Sequence, residues 1–412
     1  MVFQRKEIRN IVIVNDNGSI QGGADMVAIS SAVGLAESGL HVVFFSATLP
    51  VAESLSKAGV ETVCLGICDI LHDKNRLRAM KNGIYNSEAS KIFRNILASY
   101  SIEDTIIHVH TWTKALSSAI FSVSGKMGFH CVLTLHDFFT VCPNGGLYNY
   151  NRESICKIRP MSAKCLMSNC DLRSYSQKIW RVLRQEIQNS NIKNVQHLHL
   201  LAVSKKVEDI VRCYLPPPKA QITLFPNPID ILRSDPVELN PDGKYLFMGR
   251  LAKEKGPELF CEAISQLGLR GVMVGDGYLR KQLENKYPNI EFAGWLSGTD
   301  KLRAVRDCKC FVFTTRLYET FGLVVAEMKA LGIPSIVPIE SAAAEQIEDG
   351  KNGFLYHSGD LESLKTAIRR FEELNLEKIQ KYVIESFSRD CLSLSGHVTN
   401  LIKLDNDILN NN

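Results

Sequence analysis

The sequence predicts an α/β protein built from two Rossmann-like, doubly wound halves, and three observations carry that prediction. Short apolar runs recur along the chain, each followed by a polar or glycine-bearing turn and then a helical stretch, the rhythm of parallel sheets with helical crossovers. The rhythm breaks at Pro216-Pro217-Pro218 and Phe225-Pro226-Asn227-Pro228 and then resumes. The 412 residues are enough for two domains of roughly 150–200 residues each.

In the first half, residues 11–14 read as a buried strand. A loop with Gly22-Gly23 follows, then a helix over 25–38 stopped by Gly39, and a second strand over 41–45. This β–glycine loop–α–β start is the opening of a doubly wound domain. Further strands are expected at 59–64, 105–109, 131–135 and 198–203. Helices are expected at 87–100, 113–126 and 174–189, with loops and short helices over 66–86. Residues 138–172 read as a long irregular segment. A linker is placed near 226–243. The second half has strands at 245–248, 272–274, 290–292, 310–314 and 335–337, with helices starting near residues 257, 278, 298, 321, 343 and 360. The domains are therefore drawn as 1–228, 243–388 and a C-terminal helix, 389–412, that crosses back to the first domain.

The most informative stretch runs from Leu317 to Val337. It places Glu319 and Glu327 eight positions apart around a Phe321-Gly322 turn, ahead of Gly332, Pro334 and an apolar strand. A helix opening at Phe321, Gly322 and Leu323 presents free N–H groups, an anion site. Glu319 precedes that mouth, and Glu327 lies about two turns on, where it can accept hydrogen bonds from a diol. Phosphate at the helix mouth with carboxylates for hydroxyls describes a nucleotide-sugar.

This segment resembles the Glu-x7-Glu signature of retaining group 1 (family 4) glycosyltransferases of the GT-B fold, bacterial cell-surface polysaccharide type. Gly249-Arg250-Leu-Ala-Lys-Glu-Lys255-Gly256 resembles the family's Gly-Arg-x5-Lys-Gly motif, whose cations neutralise a departing diphosphate. The sole Asp-x-Asp is Asp405-Asn406-Asp407 in the tail, so transfer is expected to need no metal or other cofactor. Thr134-Leu-His136-Asp137 resembles the segment whose histidine contacts the donor sugar near its reacting carbon. The resemblance implies catalytic roles for Glu319, His136, Arg250 and Lys255. It implies donor contacts for Glu327, the Phe321–Leu323 backbone, Gly22, Gly23, Gly275 of a Gly-x-Gly turn, and Leu296 near the base. His110, like His136, ends a predicted strand, where ligands of open α/β sheets bind. Arg316 stands where many family members have a small residue.

Cys142, Cys156, Cys165 and Cys170 lie in the 138–172 segment. That segment resembles a subset of bacterial members in which cysteines follow the His-Asp motif, and four thiolates would suit a structural zinc. The 174–187 helix carries Ile179, Leu183 and Ile187 on one face with Lys178 and Arg181 at the rim. Two readings stay open for it: docking on an anionic membrane beside a lipid-linked acceptor, or a packed helix with a solvated basic edge.

Composition is that of a soluble enzyme, 45% hydrophobic and 22% charged. A net charge of +4 gives no reason to expect nucleic acid. No apolar run approaches about 18 residues, and 11–14 is too short for a signal-peptide core. The expectation is a cytoplasmic protein, peripheral on the inner face of the cell membrane. It would be a hexosyltransferase moving sugar from a nucleotide-diphosphate donor to a glycan or lipid-linked acceptor. The same fold also admits a nucleotide-sugar 2-epimerase or an inactive scaffold.

Overall fold

The computed structural model describes residues 6–215, 221–229, 236–296, 298–387 and 392–410. Two parallel sheets organise them. The first contains β1 (Asn10–Asn17), β2 (His41–Thr48), β3 (Glu61–Cys64), β4 (Thr105–Val109), β5 (His130–Leu135), β8 (Leu198–Ala202) and β9 (Gln221–Leu224). Between β5 and β8 lies a separate antiparallel hairpin, β6 (Tyr148–Asn149) and β7 (Ser154–Ile155). The second sheet contains β10 (Lys244–Met248), β11 (Gly271–Val274), β12 (Ile290–Gly294), β13 (Cys308–Val312), β14 (Ser335–Pro338) and β15 (Gly353–Tyr356). Strand orders are 3-2-1-4-5-8-9 and 12-11-10-13-14-15, so each sheet reverses direction beside its first strand. That switch point opens a crevice at the carboxyl strand ends. Ile11, Val12, Ile13 and Val14 are all fully buried, which is why β1 reads as a continuous apolar run rather than an alternating one.

Several expectations change. Residues 113–118 are not helical, and the helix is Ala119–Met127. The buried Asp16 carboxylate, at the end of β1, accepts the backbone N–H groups of Lys114, Ala115 and Leu116 at 2.7–3.0 Å. Ser117 takes a left-handed φ of 62°, so the first turn is spent on a cap instead of a helix. The helix expected near 343 is a 3-10 turn, Ala342–Gln346, and strands β9 and β15 were not anticipated. Part of the 226–243 linker lies outside the described residues.

The Tyr175–Lys193 helix inverts the packed reading. Lys178, Arg184, Gln185 and Gln188 are buried, while Ile179 and Leu183 are more than half exposed. The inward face meets loop backbone, which needs donors rather than methyl groups. Arg184 donates to Thr113 O and Pro143 O, and Gln188 donates to Phe139 O.

The final helix, Leu394–Asn410, lies on the first domain. Val398, Leu401 and Leu409 join the core made by Ile8, Ile11, Ala28 and Phe44. Asp405 is fully buried there, 3.0 Å from His108 Nε2. No helix of the described residues is long and apolar enough to cross a membrane.

Candidate active site

The site lies where the two sheets' carboxyl ends face each other. From the second domain, β10 ends at Met248, Gly249 follows, and a 3-10 turn carries Lys255. The Lys255 ammonium sits 2.6 Å from Glu319 Oε1, and the Thr315 hydroxyl donates to the same oxygen at 2.7 Å. Burial alone would raise the Glu319 carboxyl, but the Lys255 charge and these hydrogen bonds hold it below the usual carboxylate range. Glu319 takes a left-handed φ of 48°, unusual for a residue with a Cβ and costing on the order of 1–3 kcal/mol. Such strain persists where the surroundings over-determine a residue, as Lys255 and Thr315 do here.

Gly322, in the left-handed region at φ 84°, starts the Leu323–Ala330 helix and provides no side-chain cap. Val325 N donates back to Gly322 O at 2.9 Å, while the N–H groups of Leu323 and Val324 have no partner among the described residues. A Cβ on Gly322 would stand 2.5 Å from Ala343 Cβ, so only glycine lets this turn pack on the 3-10 segment. Glu327, on the same helix, binds Lys301 at 2.5 Å, a partner the sequence did not flag. Arg250 is 65% exposed along its side chain and reaches Glu254 at 2.7 Å, leaving its guanidinium at the mouth.

The first domain supplies the opposite wall. His110 Nδ1 and His136 Nε2 are 2.9 Å apart. Burial lowers both imidazoles, His110 well below the ordinary value and His136 to about 3, so one neutral ring donates to the other. His110 Nε2 has no partner among the described residues. Thr320 Oγ1 donates to the His136 carbonyl at 3.0 Å, which sets the histidine pair one residue from Glu319 across the domain junction. Asp137 accepts the Phe139 N–H at 2.8 Å, and burial raises its carboxyl to about 6. It is a turn-former in this arrangement.

The two domains touch around the site. Phe321 and Ala326 of the second domain are buried in the first domain's core, with Tyr318 and Leu323 packed against it. A Cβ on Gly23 would fall 2.5 Å from Leu323 Cδ1, whereas Gly22 faces open space. The β6–β7 turn sends Glu153 across to Lys253 at 2.7 Å and to Arg316 at 2.9 Å. Glu345 caps the start of the Lys205–Tyr214 helix, accepting Lys205 N and Lys206 N at 3.0 and 2.6 Å. These cross-domain contacts were invisible in the sequence, and Arg316, marked only as a departure from the family, is one of them.

Gly275 N donates to Gly294 O, and a Cβ on Gly275 would meet Gly249 O at 1.9 Å. The turn therefore locks the β10, β11 and β12 ends backbone to backbone. Leu296, partly buried, packs on the apolar cluster beside β11. The structure gives the zinc expectation no support. Among the described residues no group of three or more His, Cys, Asp or Glu side chains is placed to hold a metal ion. Lys178 is fully buried, its ammonium 3.4 Å from Cys165 Sγ and 3.3 Å from Cys170 Sγ. A cation already occupies the ground between those sulfurs.

Comparison with known proteins bears on the family and the fold. Residues 230–387, which span the second domain, match the family model described as Glycosyl transferases group 1. The chain is 34% identical over 109 residues to a GDP-mannose-dependent alpha-mannosyltransferase of Corynebacterium glutamicum, 26% of each chain. It is 31% identical over 130 residues to a sulfoquinovosyl transferase of Arabidopsis thaliana, 30% of this chain and 25% of that one. The chain thus spans only about a quarter of the length of these curated relatives. Among solved structures, sucrose-phosphate synthase from Thermosynechococcus elongatus superposes with a TM-score of 0.71 at 16% identity, over 98% of this chain and 100% of that one. The pneumococcal O-GlcNAc transferase in complex with UDP and GlcNAc gives 0.68 at 13% identity, over 98% and 99%. The fold is GT-B throughout.

Proposed function

We propose that this chain is a retaining, metal-independent hexosyltransferase. It would take a nucleotide-diphosphate sugar as donor and a lipid-linked or growing envelope glycan as acceptor, at the inner face of the cell membrane. The observation that carries the reading is the Lys255–Glu319–Thr315 cluster, set beside an uncapped helix mouth and tied through Thr320 to the histidine wall. The open N–H groups and the Arg250 and Lys255 cations suit a diphosphate. Glu327 suits a ribose diol once Lys301 yields or shares it. Glu319 suits the donor sugar's hydroxyls, with His136 near the reacting carbon.

In the step so arranged, the sugar–phosphate bond breaks and the acceptor oxygen bonds the same carbon on the same face. The acceptor's proton passes to the departing diphosphate, whose charge Arg250 and Lys255 offset. The tail Asp405 is committed to His108 inside the first domain, so the one Asp-x-Asp of the chain does not face the diphosphate. The relatives' names include GDP-mannose-dependent enzymes, and one neighbour is a complex with UDP. Both base classes therefore belong in the test.

Thermal melting against UDP-, GDP-, ADP- and dTDP-sugars without added metal tests the reading. A donor at about 100 times its dissociation constant adds ~2.7 kcal/mol of stability. One base class should stand out, and the effect should vanish in Glu327→Ala. No shift with any donor, together with no sugar transfer to a membrane-lipid extract, would sink the proposal.

A further inference from the structure

The Tyr175–Lys193 helix faces outward with the wrong side for a soluble surface. Tyr175, Ile179 and Leu183, spaced four apart on one stripe, are exposed, the last two at 55% and 52%. The Arg76–Ile84 helix lies alongside: Trp180 Nε1 donates to Met80 O, and the Trp180 ring covers Gly83. It adds Leu77, 80% exposed, and Met80. The short turn before the main helix adds Leu166 and Met167, the latter 72% exposed, and is tied in by Tyr175 Oη donating to Leu166 O. Three adjoining elements thus carry exposed aliphatic and aromatic side chains on the first domain. Exposed apolar side chains gathered in this way mark an interaction site.

Charge says what covers it. Lys74, Lys81, Lys164 and Arg173 are exposed on or beside these elements and have no carboxylate partner among the described residues, while the Arg76 guanidinium beside them donates to Ile70 O and Asp73 O. Two nearby acids are neutralised, Asp73 by Arg78 at 2.8 Å and Asp171 by Arg181 at 2.7 Å; Asp69 meets the His72 ring at 2.9 Å, and Glu186, three positions after Leu183, is exposed without an ion pair among the described residues. A second copy of the chain, docking face to face, would set these free cations against their own equivalents, which repel. An anionic bilayer answers both features, apolar side chains entering the headgroup boundary and the basic rim meeting lipid phosphates.

We propose that this face docks the first domain onto an anionic lipid bilayer. The polar, inward side of the helix anchors the 138–172 loop, so the apolar stripe is held rigidly outward rather than free to collapse. Docking deepens the lipid-linked acceptor reading above and rests on it for its purpose, while the binding itself is tested separately.

The test is vesicle flotation of the full chain with phosphatidylcholine alone and with phosphatidylcholine plus phosphatidylglycerol. The protein should float with the anionic vesicles and not with the neutral ones. Leu77→Glu/Ile179→Glu/Leu183→Glu should abolish flotation. These side chains are exposed, so the melting temperature and any donor-induced shift should stay unchanged. Lys164→Ala/Arg173→Ala should weaken anionic binding by about fivefold per residue, roughly 25-fold together, with loss at high salt. Three outcomes overturn the proposal: no binding to anionic vesicles, binding unchanged in the triple glutamate variant, or a dimer in light scattering that the same variant disperses without any flotation. Donor-induced melting shifts on the same preparations report the transferase reading independently.

Discussion

Replacing Lys255 with methionine gives the sharpest test of the site's electrostatics. The change keeps the side-chain length and leaves Glu319, 17% exposed along its side chain, with only the Thr315 hydroxyl at 2.7 Å. The loss has a floor and a ceiling. The floor is one charge-assisted hydrogen bond, about 1.5 kcal/mol. The ceiling is the cost of escape by protonation. A carboxyl with an ordinary value of 4.5 takes a proton at pH 7 for about 1.36 × (7 − 4.5), or ~3.4 kcal/mol. At pH 5 the same escape costs only about 0.7 kcal/mol. In the native protein the Glu319 carboxyl is depressed, so its stabilising share is present above pH 4.5 and fades as pH falls through its folded value.

The gap between native and Lys255→Met protein should therefore be about 1.5–3.4 kcal/mol in urea melts at pH 7 and should narrow toward the lower figure by pH 5, as protonation relieves the unpaired carboxylate. Adding Glu319→Gln should restore most of the stability, because the unpaired charge is gone. It should not restore transfer, which falls about 10²–10³-fold once a cation facing the departing diphosphate is lost. A gap of equal size at pH 5 and pH 7, or a Lys255→Met protein that still transfers sugar at the native rate, would refute the reasoning.

Three further outcomes follow from the same geometry. His136 and His397 are lowered to about 3 and about 4 by burial. They stay neutral in the fold while unfolded imidazoles charge below about 6.5, so stability should fall with pH by ~1.36 × (6.5 − 5), about 2 kcal/mol, for each by pH 5; a melting temperature flat from pH 7 to pH 5 contradicts this. Glu153→Gln should cost under about 1 kcal/mol, since its two ion pairs are partly exposed, yet small-angle scattering should show a larger radius of gyration as the domains part; an unchanged radius argues against a latch. Gly275→Ala forces a Cβ to 1.9 Å from Gly249 O at a φ of 141° and should destabilise the second domain by more than about 3 kcal/mol. Gly22→Ala meets nothing within 4 Å and should melt like the native protein, so equal melting of the two variants would be the contrary result.

What could be read from the sequence was whatever is written inside one βα unit. Glu319, Phe321, Gly322 and Glu327 share a turn and the helix that follows it, and Arg250 and Lys255 share the turn after β10, so their spacing already implies their grouping. The β1 and β4 runs were legible because strands buried on both faces have no polar alternation to hide them. The misses have a different cause in common. The 113–118 stretch has helical composition, but its N–H groups are captured by Asp16, about a hundred positions away. Cys165 and Cys170 were read as metal ligands, and nothing local to them shows that the Lys178 ammonium lies within 3.4 Å of both sulfurs. Lys301 and Glu153 are ordinary surface charges by composition, and only the chain path brings the one to Glu327 and the other across the domain junction. The Tyr175–Lys193 helix is the clearest case. Periodicity located its apolar stripe correctly, but a period carries no direction. The assumption that apolar faces turn inward holds when the neighbour is a sheet or another helix. Here the neighbour is the backbone of a loop with little ladder bonding of its own, and buried carbonyls require donors. Arg184 and Gln188 supply them, and the aliphatic stripe is turned out as the consequence.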